Sequence, residues 1–290
     1  MKFTLGIALN PLDQLTELAR TAEECGFSAI ALPDSIFYGE HAGAAYPYTP
    51  DGRRFWDADT PWADPMVTAA ALGAVTERIR FYTQVLKLGP RNPVLLARQV
   101  GSVANLIGNR FGLGVGLGWN PEESLWCGAP FAERAGRADE AIEVLRLILG
   151  GGMVEYHGKH FDFGRLQMSP APSEPIPIYV GGHAEPALRR AARTGDGWSS
   201  AMIRLEALRA IIERLSRLRA EYGRDGEPFE IQAVCVDAPG LDGFRRQADI
   251  GVTDAIVMPW LAESAGFDAP VTVKKDAVRR FADGVIGRMT

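Results

Sequence analysis

Cysteine is scarce: Cys25, Cys127 and Cys235 are the only three in 290 residues, and they lie too far apart for a disulfide framework or a zinc pattern. Basic charge is not in excess either. The 31 basic and 36 acidic residues leave a formal net charge of −5, which argues against nucleic acid or an anionic membrane surface as the main partner. No apolar run approaches the roughly 20 residues that a membrane span needs. The opening MKFTLGIALNP reads as a first strand, with an apolar run too short and Asp13 too near for a signal peptide. A cytoplasmic protein with reduced thiols is the expectation. Two catalytic motifs are missing as well. There is no G-x-S-x-G elbow, which weighs against a serine hydrolase. The first strand is followed by Asn10, Pro11 and Leu12 instead of a G-x-G-x-x-G turn, which weighs against an open dinucleotide-binding sheet. Histidine is also rare: His157 and His160 sit in an extended stretch without a third ligand, so no metal is expected.

What is present is alternation. Hydrophobic residues make up 47% and charged residues 23%, the balance of a globular chain with a sizeable core. FTLGIAL, SAIAL, IRFYTQVL, FGLGVGLG, IPIYVGG, GWSS, FEIQAVCV and DAIVMP read as strands. Helical patterns are expected over 12–24, 65–75, 93–107, 134–149, 185–193, 205–222, 241–250 and 274–286. Eight strands, each followed by a helix, predict an α/β protein whose parallel sheet closes into a (β/α)8 TIM barrel. Residues 1–290 read as a single domain with two insertions at its C-terminal mouth. One, about 34–64, holds Phe37, Tyr38, Tyr46, Tyr48, Phe55, Trp56 and Trp62 and reads as a lid over the mouth or a subunit interface. The other is a Gly-, aromatic- and Pro-rich excursion over about 150–175.

Glycine marks the candidate site. In FGLGVGLGW it recurs at every second position from Gly112 to Gly118, while Phe111, Leu113, Val115 and Leu117 form a bulky opposite face. Bulky residues would face the helices and glycines the interior. Deep Gly112 and Gly114 could make room for Phe81 or Tyr179, whereas Gly116 and Gly118 at the mouth predict close approach of a flat ligand. YVGGHAEP sets Gly181, Gly182 and His183 between a strand end and a helix start, a place for an anion. Arg204, after the next strand, would supply a cation. Thr83, Gln84 and Lys87 end the third strand with polar groups, and Asp34 and Ser35 end the second.

These stretches resemble the luciferase-like monooxygenase superfamily, and within it the deazaflavin (coenzyme F420)-dependent oxidoreductases. The resemblance spans nearly the whole chain through GFSAIALPDSIFY, AAALGAVTERIRFYTQVLKLGPRNPVLLARQV, GNRFGLGVGLGW, RADEAIEVLRLILGG and IPIYVGGHAEPALRRAARTGDGW. It implies a bacterial-luciferase-like barrel, commonly a homodimer, with F420 or FMN in the mouth and a small-molecule substrate. It implies a non-proline cis peptide at Gln84–Val85 that pushes backbone against the cofactor ring. Thr83, Gln84, Val85, Gly116, Leu117, Gly118 and Trp119 would line that ring, and Gly181, Gly182, His183 and Arg204 would hold the phosphate. Many relatives carry Asp-His where this chain has Asp34–Ser35, and some dehydrogenases carry an acid where it has Trp119. Serine is a poor general acid near neutral pH, so Asp34, Ser35 and Tyr38 are the candidates for proton handling. The implied activity is hydride transfer between F420 and a small organic substrate. The alternatives are an oxygen-using FMN monooxygenase and a noncatalytic flavin-binding barrel.

Overall fold

A computed structural model describes residues 1–289. In chain order the strands are β1 (Lys2–Gly6), β2 (Ala29–Leu32), β3 (Arg80–Thr83), β4 (Leu86–Lys87), β5 (Phe111–Gly116), β6 (Met153–His157), β7 (Asp162–Gln167), β8 (Ile178–Gly181), β9 (Gly197–Ile203), β10 (Glu230–Cys235) and β11 (Asp254–Val257). The helices are α1 (Leu15–Glu24), α2 (Pro65–Gly73), α3 (Pro93–Leu106), α4 (Pro121–Trp126), α5 (Arg134–Leu149), α6 (Glu185–Thr194), α7 (Leu205–Glu221), α8 (Gly240–Asp249), α9 (Pro259–Ala262) and α10 (Val271–Phe281).

The sheet runs β3-β2-β1-β11-β10-β9-β8-β5, and β5 returns to β3 through Phe81–Phe111 and Tyr82–Gly112. All these pairings are parallel, so the sheet closes into an eight-position barrel. β3 and β4 share the third position, where the sequence reads as one strand. β4 pairs with β5 through Leu86–Val115 and Lys87–Gly116. Between the two segments lies the Gln84–Val85 peptide, which is cis.

Helix starts follow their capping residues. The Asp64 carboxylate accepts the Met66 and Val67 N–H groups ahead of α2, and Asn92 accepts those of Val94 and Leu95 ahead of α3. In each case a proline occupies the first turn, where its missing N–H is harmless. The core has two parts. Phe111, Leu113, Val115 and Trp198 are buried between barrel and helices, as the alternation in β5 predicts. Inside the barrel lie Ala29, Ala31, Tyr82, Tyr179 and Ile256.

The excursion after α5 contains an antiparallel hairpin, β6–β7, which the sequence reading left as an extended segment. Glu140 accepts the N–H groups of Lys159, His160 and Phe161 at its turn. His157 pairs with Asp162 and His160 with Glu133, so the two imidazoles diverge. Among the described residues no helix is long and apolar enough to cross a membrane, and no group of three His, Cys, Asp or Glu side chains is arranged to hold a metal ion.

Candidate functional site

The glycine face of β5 receives protein. A Cβ on Gly112 would meet the Tyr179 ring at 2.8 Å, which is the space-making role, with Tyr82 in place of Phe81 as the second neighbour. One on Gly114 would fall on the Thr83 carbonyl oxygen. One on Gly116 would lie 2.8 Å from Val85 Cγ2, and one on Gly181 of β8 would lie 3.0 Å from Val85 Cγ1. The space nearest the Gly116 backbone is therefore taken by the Val85 side chain, where a flat ligand is expected from the sequence. The glycines of β5 and β8 admit the β3–β4 bulge, and half-buried Val85 stands over them at the mouth. Gly118, at φ +82°, faces the aliphatic stem of Lys87 at 3.6 Å instead of open space. Thr83 is fully buried and donates its hydroxyl to the Gly114 carbonyl at 2.6 Å, so it ties the bulge to β5 and lines nothing.

Asp34 has both oxygens committed. The Arg91 guanidinium donates to Oδ1 at 2.7 Å and to Oδ2 at 2.9 Å, and the Lys87 backbone N–H donates to Oδ2 at 2.9 Å. Arg91 also donates to the Lys87 carbonyl at 2.8 Å. This bidentate clamp holds β4 through both the N–H and the C=O of Lys87, and it leaves both Asp34 oxygens engaged. Ser35 is half-buried beside it, and exposed Tyr38 lies under Arg54, whose guanidinium carbon is 3.6 Å from its ring centre.

A second ion pair closes the same corner. Lys87 Nζ donates to both Glu123 oxygens at 2.6 Å, with both side chains almost fully buried, and the Ile36 N–H donates to Glu123 Oε1. Glu123 and Arg91 complete this corner, and the sequence pattern does not single them out. Glu123 lies on α4, a helix the reading also missed. Its signal was available: Asn120-Pro121 repeats the cap-proline start of α3, and Asn120 Oδ1 accepts the Glu122 N–H. The lid rests on this helix, through the Gly43 N–H donating to Glu122 and the Phe37 ring stacked on Trp126 at 4.9 Å.

At the anion turn, Gly182 adopts φ +114°, and the N-cap of α6 is Ala184, whose side chain cannot cap. The early N–H groups of α6 therefore have no side-chain acceptor. A register shift between β9 and β10 after Ser199 leaves an extra residue in β9. There the Ala201 N–H donates to His183 Nε2 at 3.2 Å, and Gln84 donates to the Ser200 carbonyl at 2.9 Å. Because Nε2 accepts, the His183 proton sits on Nδ1. Burial pushes the imidazole below its ordinary value and keeps it neutral. Arg204 follows β9 as an exposed residue whose side chain makes no ion pair or hydrogen bond among the described residues.

Lid and mouth meet through aromatic rings. Tyr46 contacts Tyr48, Phe55, Trp56 and Trp119, with centroids 5.1 to 5.8 Å apart, and Tyr48 contacts His183 at 5.2 Å. Burial pushes the Tyr46 phenol up to about 12 and raises Tyr48 as well. Leu117, next to this cluster, packs against the outer core. The structure thus gathers Val85, Trp119, Gly181, Gly182, His183 and Arg204 at the mouth. Asp34, Thr83 and Gly116 lie against the β3–β4 segment, and Gly118 faces Lys87.

A closed parallel barrel with a third-strand bulge under a lidded C-terminal mouth defines the luciferase-like class of TIM barrels. The chain belongs to the luciferase-like monooxygenase family, whose model matches residues 4–236. It is 44% identical over 290 residues to an uncharacterised protein of Mycobacterium tuberculosis, covering 100% of both chains. Its fold resembles that of an F420-dependent secondary alcohol dehydrogenase in complex with an F420–acetone adduct, at TM-score 0.76 and 14% identity over 98% of each chain. It also resembles the oxygenating constituent of a diketocamphane monooxygenase of Pseudomonas putida in complex with FMN, at TM-score 0.60 and 17% identity over 81% of this chain and 67% of that one. At these identities the structural likeness concerns the fold alone.

Proposed function

We propose that the protein is an oxidoreductase that moves a hydride between coenzyme F420 and a small neutral organic substrate. One juxtaposition carries this reading: Val85 standing over Gly116 and Gly181, next to the uncapped start of α6 and the unpaired Arg204. These residues fit such a cofactor. Val85 offers an apolar support for a ring, while the N–H groups after Gly181 and the Arg204 guanidinium offer donors to a phosphate. The deazaflavin, when bound, supplies a nicotinamide-like hydride carrier. The protein's own share is orientation and exclusion of water by Trp119, Tyr46 and Tyr48. Neutrality of the substrate follows from the corner's charges, since Asp34–Arg91 and Lys87–Glu123 are closed pairs. The proton-handling groups left nearby are Ser35, Tyr48 and the Nδ1–H of His183, all neutral.

A second reading, an oxygen-using monooxygenase with reduced FMN, draws on the same anion turn, because both cofactors carry a phosphate there. Titration with each cofactor, followed by anaerobic turnover, separates the two. F420 is expected to bind and to turn over without oxygen. Activity found only with reduced FMN and oxygen would overturn the first reading and leave the second. In either case Arg204→Ala should weaken cofactor binding by about 1–3 kcal/mol, the range of charge-assisted hydrogen bonds. A cofactor fragment lacking phosphate should bind the variant and the parent equally.

A further inference from the structure

Below the mouth, the barrel interior contains a polar layer that the proposed chemistry does not use. Ser199, Gln232 and Asp254 are register partners on β9, β10 and β11, and all three point inward. They are 1%, 0% and 3% exposed, so water does not solvate them from outside. Four of their polar atoms lack a protein partner: Asp254 Oδ1, both amide atoms of Gln232, and Ser199 Oγ. The other Asp254 oxygen accepts from Thr4 Oγ1 at 2.8 Å and more distantly from Tyr82 Oη at 3.5 Å.

No cation reaches this carboxyl among the described residues. Lys2, its register partner on β1, donates to Glu230 Oε1 at 3.0 Å instead. The remaining titratable and charged groups facing it are Glu230 on β10, Arg80 and Tyr82 on β3, and Tyr179 on β8. A carboxylate buried with one good hydroxyl donor, and with its nearest cation Lys2 already bonded to Glu230, is disfavoured. A carboxylic acid in the same place is not: its proton turns Oδ1 into a donor, and the neighbouring Gln232 amide has an acceptor to spare.

We propose that Asp254 is a proton-binding site, holding a neutral carboxyl inside the barrel that donates towards Gln232 and links the Asp254–Gln232–Ser199 row. Burial also pushes this carboxyl up to about 6, with the nearby Glu230 charge adding to the rise and the Thr4 and Tyr82 hydrogen bonds and the Lys2 charge opposing it. The layer above consists of Ala31, Val234 and Ile256, which separates the proton from the mouth, so the site is not a relay for catalysis. Exchange with solvent runs through the barrel floor, where a small cleft is lined by Lys2, Arg80, Glu230 and Asp254.

The sign is fixed by linkage. The folded acid keeps its proton up to about pH 6, whereas an unfolded one releases it near 3.8. Stability contributed by the neutral form is therefore present at low pH and falls as pH rises through that window. At pH 5 folding should take up about one proton at this position. Asp254→Asn keeps a neutral donor in the same place, so its unfolding midpoint should gain on the parent's as pH rises from about 4 to about 6, and the gap should then level off. Identical pH slopes in parent and variant would overturn the proposal. A measurement on the parent protein needs no variant: infrared spectra of the folded apoprotein at pH 5.5 should show a protonated-carboxyl C=O band that vanishes by pH 8. A folded protein with only carboxylate bands at pH 5.5 would equally overturn it.

Discussion

A carboxylate at the end of a barrel strand is available for chemistry only if nothing else claims its oxygens. Asp34 is claimed three times, by two guanidinium nitrogens and one backbone N–H, with its side chain only 1% exposed. Removing it leaves the Arg91 charge half-buried and unpaired. Asp34→Ala should therefore lower stability by about 3–5 kcal/mol in denaturant unfolding, the usual loss when one partner of a buried pair is deleted. Arg91→Ala should cost a similar amount, and the double variant much less than the sum. A normal unfolding curve for Asp34→Ala, with turnover abolished, would return Asp34 to the role of proton carrier. The same reasoning at His183 explains why a histidine next to an anion turn can remain uncharged: the Ala201 N–H occupies one nitrogen and burial disfavours the cation.

At the scale of the strand, the alternating glycines of β5 are explained by its neighbour on the β3–β4 side. Two substitutions of equal chemical size should behave differently. At Gly114 a methyl group would meet the Thr83 backbone carbonyl, which is held by its own ladder and cannot retreat. At Gly116 it would meet the end of the Val85 side chain, which can rotate. Gly114→Ala is expected to cost more than about 3 kcal/mol or to prevent folding, against roughly 1 kcal/mol for Gly116→Ala. Adding Val85→Ala to the second variant should recover its stability, as measured by chemical denaturation. Equal losses at the two positions would mean that the bulge does not set the spacing. The lid is held at two places, on α4 through Glu122 and Trp126 and on the mouth through Trp119 and His183.

At the scale of the molecule, one apolar stripe is left uncovered. Packed neighbours α2 and α3 expose Val67, at 67%, and Leu95 and Leu106, at 68% and 78%, on the outer wall of the barrel. The family resemblance implies a homodimer, and we propose only that the chain dimerises and that this exposed face takes part. Light scattering should give twice the chain mass for the parent protein. Leu95→Glu and Leu106→Glu together should give monomers of unchanged far-UV circular dichroism. A monomeric parent would remove the proposal.

The alternation of apolar strands and amphipathic helices determined the architecture from the sequence alone, because each period commits a segment's buried face before any long-range contact forms. The start of α5 at Arg134 and its end at Leu149 coincide with the sequence expectation, and the inward glycines and outward Phe111, Leu113 and Val115 were legible from the period-two pattern. The strand-three irregularity came from the family resemblance, and the structure contains it as the cis Gln84–Val85 peptide. Of the occupants beside the glycines, Tyr179 was legible and Val85 and the Thr83 carbonyl were not. An absent side chain announces that something approaches, but only the register of β4 on β5 brings Val85 and the Thr83 carbonyl there. The partners of Asp34 and Lys87 were hidden for a related reason: Arg91 and Glu123 reach them 57 and 36 residues away in sequence, across loops whose course no local pattern specifies. Burial of Asp254 belongs to the same class. Its place in a strand is written in DAIVMP, whereas its burial without a bonded cation exists only once the barrel has closed.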